Sequence, residues 1–120
     1  MLASNTPAEP RPAELHVQHI ACTNNAWFVM GFIVQRLDGE RVIGESAASV
    51  RFTAGRTVGV DLSALKFDGE ALQAGDRVRL RVDATAGGRR HGPSVAYSPN
   101  GHTAGFSVRG TTHNISIDRI

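Results

Sequence analysis

The sequence predicts an all-β domain: an antiparallel two-sheet β-sandwich of about 8–9 strands, with immunoglobulin-like or jelly-roll topology. Three observations predict it. Apolar residues recur with a period of two rather than 3.6. Turn residues punctuate the chain about every 8–12 positions. No segment offers a long amphipathic helix to cover a parallel sheet, so antiparallel pairing is favoured.

Taken in order, residues 1–12 carry Pro7, Pro10 and Pro12 among small and polar residues and read as an extended tail. The domain then occupies 13–120. A first strand is expected over 14–22, broken by Thr23-Asn24-Asn25. A strongly apolar strand follows over 27–35, and Asp38-Gly39 reads as a two-residue hairpin turn returning through 41–45. Shorter strands over 49–53 and 57–61 flank Ala54-Gly55-Arg56, and 61–65 suits a single helical turn capped by Asp61 or Ser63.

Beyond the turn at Ala74-Gly75, residues 76–85 alternate cleanly and form the clearest strand. A glycine-arginine loop is expected over 86–93. Strands over 95–97 and 103–108 flank Ser98-Pro99-Asn100-Gly101, where proline presets φ and Asn-Gly accepts left-handed positions. A last strand covers 112–120.

Composition narrows the function classes. A chain of 120 residues with 41% hydrophobic and 20% charged residues suits one globular domain. A formal charge of only +2 argues against nucleic acid as the partner. Lys66 is the sole lysine, so the positive charge is almost all guanidinium, a planar fork suited to carboxylate, phosphate or sulfate. Cys22 stands alone, so no intrachain disulfide can form. The first residues lack a cationic segment followed by an apolar one, and no apolar run reaches the ~18–20 residues of a membrane helix. A cytoplasmic location is the default expectation.

Three features invite a functional reading. In residues 77–84, Val78, Leu80, Val82 and Ala84 share one face, while Arg77, Arg79, Arg81 and Asp83 share the other. Same-face neighbours on a strand are roughly 6.5–7 Å apart, so the three arginines form a ladder that a polyanion could bridge. The plain alternative is a solvated face whose arginines pair with acidic groups and whose stems cover apolar surface.

The loop with Arg89, Arg90 and His91 offers anion donors between glycines that allow close backbone approach. It lacks the phosphate-loop pattern, and no helix follows it. The third feature is the strand from Trp27 to Val34. Trp27, Val29 and Ile33 lie on one face and Phe28, Met30, Phe32 and Val34 on the other, so both faces need cover. A segment of the chain itself could provide it. So could a second subunit or protein partner docked on Phe28, Met30 and Phe32.

Catalysis gains no support. No serine elbow appears, Cys22 has no reactive signature, and no carboxylate pair is selected by spacing. His16 and His19 fall on opposite faces of a strand, and His91, His102 and His113 are scattered, so no metal site is expected. No cofactor is implied. The expected function is a non-enzymatic interaction or assembly module, self-associating or docking to a protein through the apolar face. The alternative is a lectin-like or anionic-ligand-binding module using residues 86–93.

Overall fold

Residues 14–120 are described by a computed structural model, and within them the secondary structure is nearly all β. The tail expected over 1–12 lies outside the described residues. In chain order the strands are β1 (His16–Val17), β2 (His19–Asn24), β3 (Met30–Asp38), β4 (Arg41–Glu45) and β5 (Thr57–Asp61). A 3₁₀ turn, Leu62–Ala64, follows β5, and the Asp61 carboxylate accepts from the Ser63 amide at its start. Hydrogen bonds from the Ser63 side chain and amide hold that carboxyl below the usual range. Then come β6 (Lys66–Phe67), β7 (Glu70–Ala71), β8 (Arg77–Ala84), β9 (Arg89–His91), β10 (Val95–Tyr97), β11 (Thr103–Thr111) and β12 (Asn114–Arg119).

One sheet has the order β1-β10-β8-β3-β4, with β9 also paired to β8; the second runs β12-β11-β2-β5; β6 and β7 form a small hairpin. The purely antiparallel expectation is corrected: β1 pairs parallel to β10, and β2 pairs parallel to β11. The cause is a crossing at Gln18. The single strand expected over 14–22 divides there, β1 joining one sheet and β2 the other. The Gln18 and His19 amides both donate to the His102 carbonyl at 2.9 Å, and the Gln18 carbonyl accepts from Leu62. One short strand thus enters the crossing and the other leaves it, and each lies beside a later strand running the same way.

Other boundaries moved for local reasons. The β3–β4 turn centres on Gly39-Glu40, because Asp38 pairs with Arg41 and Gly39 takes the positive φ. The strand expected over 49–53 shrinks to one bridge between Phe52 and Met30. There β4 has ended, and serine hydroxyls serve the edge of β3: the Phe32 amide donates to Ser49 Oγ and the Val34 amide to Ser46 Oγ, each at 2.9 Å. The loop expected over 86–93 contains β9, which pairs with Arg81–Asp83 on the same edge of β8 that β10 occupies further along.

The core draws on both larger sheets. Met30, Phe32, Val34, Val78, Leu80 and Val82 from one join Ile20, Cys22, Phe106 and Val108 from the other. Each large side chain so buried contributes about 1.5–3 kcal/mol. Burial pushes the Cys22 thiol up to about 12, so it is protonated at neutral pH and packs as a small apolar group.

Candidate functional site

The direction of the strands brings four connections to one end of the molecule. They are 25–29 between β2 and β3, 53–56 before β5, 85–88 between β8 and β9, and 112–113 between β11 and β12. Backbone hydrogen bonds tie them together: Trp27 N–H to the Gly110 carbonyl at 3.1 Å, Thr85 to Val29 at 2.9 Å, Gly88 to Thr112 at 3.0 Å and Gly55 to Asn24 at 2.7 Å. Gly87 permits the close approach of two hairpins, since a Cβ there would lie 2.7 Å from Thr112 Cβ.

Asn24 is the knot under this end. Fully buried, it donates from Nδ2 to the carbonyls of Phe28 (2.8 Å) and Phe52 (3.1 Å) and accepts at Oδ1 from the Ala26 amide. Its backbone N–H donates to Arg56. One side chain therefore shapes the 25–29 connection and fastens it to 52–56. Asn24→Ala strands the Phe28 carbonyl and the Ala26 amide, the Phe52 carbonyl keeping its bond from Met30 N–H, and is expected to cost about 2–3 kcal/mol. A urea titration followed by circular dichroism checks this.

Alternation continues through the connection: Asn24, Ala26, Phe28 and Met30 are buried, and Asn25, Trp27 and Val29 are exposed. Trp27 stands 89% exposed, with Val50 (69%) the next most exposed apolar side chain of this region. The expected docking face of Phe28, Met30 and Phe32 is corrected here. They are 8%, 0% and 3% exposed and belong to the core, so they present no surface to a partner. Four large apolar residues of one parity outweigh the other row, and the chain turns them inward. The opposite row divides. Ile33 and Leu37 are buried among arginine stems, being paired in register with Arg81 and Arg77, while Trp27 and Val29 run past the end of the sheet into solvent.

The ladder of Arg77, Arg79 and Arg81 does share a face, and each member is engaged with neighbouring groups of the domain. Arg77 donates to Glu14 Oε1 (2.7 Å), the Gly39 carbonyl (2.9 Å) and Ser94 Oγ (2.8 Å). Arg79 donates to Gln35 Oε1 at 2.8 Å. Arg81 grips Asp83 through two hydrogen bonds of 2.9 and 3.0 Å and reaches Glu45 at 3.3 Å. Its pKa rises further through the Asp83 hydrogen bond, against the effect of burial. These arginines tie β8 to the strands and loops beside it.

Arg89, Arg90 and His91 do not form one cradle. On β9, Arg89 and His91 stand opposite Asp83 and Arg81, while Arg90 stands opposite the inward-facing Val82. Alternation therefore sends Arg90 to the side where β12 lies, away from His91. Arg89 Nε is 3.7 Å from Asp83 Oδ1. Arg90 makes no ion pair or side-chain hydrogen bond among the described residues. A groove of about 220 Å³ is lined by Gly88, Arg89, Arg90, Thr112, His113, Asn114 and Ile115. A second concavity at this end, about 370 Å³, holds Val50, Arg51, Phe52 and Arg56 among its lining.

Charge is segregated along the molecule. No Asp or Glu occurs in residues 15–37, 46–60 or 84–117. The acidic side chains nearest the Trp27 end, Glu45 and Asp83, are both engaged by Arg81. Asp38, Glu40, Asp68, Glu70 and Asp76 gather toward the opposite end with the β3–β4 turn and the β6–β7 hairpin. Of the candidate residues at this end, Arg89 and Arg90 are singled out by the sequence as ligand donors, whereas Trp27, Arg51 and Arg56 are not. The acid-free stretches and the minority parity of Trp27 were the signals available.

No protein-family model and no curated protein sequence matches the chain. Among solved structures, the membrane-binding domain of pneumolysin aligns with a TM-score of 0.46 at 12% identity, over 85% of this chain and 94% of that one. Wild-type pneumolysin gives 0.45 at 15% identity, over 85% of this chain and 22% of that one. A non-hemolytic pneumolysin from Streptococcus pneumoniae gives 0.45 at 15%, over 85% and 23%. The likeness assigns no family. The chain spans about a fifth of the length of the whole toxin with which it aligns. Among the described residues no group of three or more His, Cys, Asp or Glu side chains could hold a metal ion, and no helix is long and apolar enough to cross a membrane.

Proposed function

We propose that the chain is a non-enzymatic binding module that engages an anionic partner through the end bearing Trp27, Arg51, Arg56, Arg89 and Arg90. The observation that carries this reading is the joint placement at one end of the molecule of a nearly fully exposed tryptophan, Arg56 on a neighbouring connection and Arg51, Arg89 and Arg90 beside them, where the nearby carboxylate, Asp83, is already gripped by Arg81. An exposed indole gains by burial against a ligand and keeps an N–H to hydrogen-bond. Arginines around it supply charge complementarity and speed encounter. The burial of Phe28, Met30 and Phe32 in the core favours the anion-binding alternative over docking through that face.

Trp27 is the only tryptophan, which makes its fluorescence a reporter of this end alone. Titration with heparin or with vesicles rich in anionic lipid is expected to shift its emission to the blue at low salt. The response should fade at ~0.5 M salt, where charges are screened within a few ångströms. Trp27→Ala is expected to weaken retention on the responding ligand about tenfold, as loss of an aromatic hot spot does. No response to either probe at low salt would overturn the reading.

A further inference from the structure

We infer that the groove between β9 and the β11–β12 turn is a subsite for one oxyanion, a phosphate or sulfate ester carried by the partner, with Arg90 as its principal cation. This rests on the anionic-partner reading and adds to it a place and a chemistry.

The other arginines of β8 and β9 are already engaged. Arg77 and Arg81 are taken up by carboxylates, Arg79 by Gln35, and Arg89 leans to Asp83 at 3.7 Å. Arg90 alone on these two strands makes no ion pair or side-chain hydrogen bond among the described residues, and it is exposed. It faces a groove that contains no carboxylate: Gly88, Arg89, Thr112, His113, Asn114 and Ile115 complete the lining.

The donors outnumber what the two oxygens of a carboxylate can use, and their charge is more than a neutral sugar needs, so they suit a tetrahedral ester. A guanidinium fork can bind two oxygens of a tetrahedral ester at once. Thr112 and Asn114 bring a hydroxyl and an amide, and His113 an imidazole, from the neighbouring hairpin. The two hairpins are held in place by the Gly88 N–H to Thr112 carbonyl bond at 3.0 Å and by the close approach at Gly87. The groove is therefore formed before any ligand arrives, which lowers the ordering cost of binding. Its volume of about 220 Å³ admits a single ester group and part of its carrier.

Three single variants, Arg90→Gln, Arg90→Lys and Arg56→Gln, are compared with the unaltered chain. The probes are inositol hexakisphosphate and a heparin-derived disaccharide, followed by amide NMR shifts. Shifts are expected at Gly88, Thr112, His113 and Asn114. Arg90→Gln should weaken the preferred probe about tenfold, Arg90→Lys should lose much of that through loss of the fork, and Arg56→Gln should cost only about twofold. Preference for one probe identifies the phosphate or sulfate source. Equal losses for Arg90→Gln and Arg56→Gln, or shifts confined to other connections, would overturn the subsite. If Trp27→Ala and salt abolish binding while Arg90→Gln leaves it intact, the subsite fails and the general reading stands. If the unaltered chain ignores both probes and anionic vesicles, both fail.

Discussion

Phe32→Asp is expected to unfold the domain rather than free a subunit. Phe32 is 3% exposed near the start of β3 and meets the Phe52 ring edge-to-face at 6.1 Å between centroids. Removing such a ring costs about 3–5 kcal/mol, and a carboxylate without a partner in that place costs several more. The sum approaches the whole stability of a small domain, about 5–15 kcal/mol. Circular dichroism at 25 °C should show loss of sheet signal, and light scattering should show an expanded or aggregated chain. A folded protein of reduced mass would reverse the assignment and return Phe32 to an interface.

A second large loss is expected from Gly110→Ala. Gly110 has φ +110°, outside the region any side chain accepts comfortably, and a Cβ there would collide with the Asn114 carbonyl oxygen across the β11–β12 hairpin. The obstacle is backbone, so no rotamer change relieves it. Strain and overpacking together should cost about 3–5 kcal/mol. Because the Gly110 carbonyl also accepts from Trp27, the substitution should loosen the proposed binding end as well. Thermal unfolding measures the first effect and heparin retention the second. A melting temperature within a degree or two of the unaltered chain would mean that the hairpin adopts another turn.

Much of this fold was legible because alternation records which face of a strand is buried. Residues 77–84 alternate without fault, and β8 follows them closely. Alternation carries no record of the neighbouring strand. Nothing in 19–24 or 103–111 says that they will lie side by side and parallel, and nothing at Gln18 says that the chain will leave one sheet for another. Similarly, 89–91 became a strand because the edge of β8 was free to pair, not because those residues favour one. The region from Trp27 to Val34 shows the hardest case. Two apolar rows compete for the core, and the outcome depends on what covers the loser: arginine stems over Ile33 and Leu37, and solvent at Trp27. Of the candidate site, the cations at 89 and 90 could be read from sequence. Their division to opposite faces of β9 required its register with β8.

The parallel seating of β2 beside β11 also bears on how the chain reaches this structure. During synthesis β2 emerges early, and its partner follows about eighty residues later. Until then β2 can pair only with β5 and exposes its other edge, with Ile20 and Cys22 lacking the cover of Phe106 and Val108. Such a topology places the rate-limiting search late and leaves a nascent intermediate with an unpaired, apolar strand. Slow refolding is the expected cost of building the second sheet from strands so far apart in the chain.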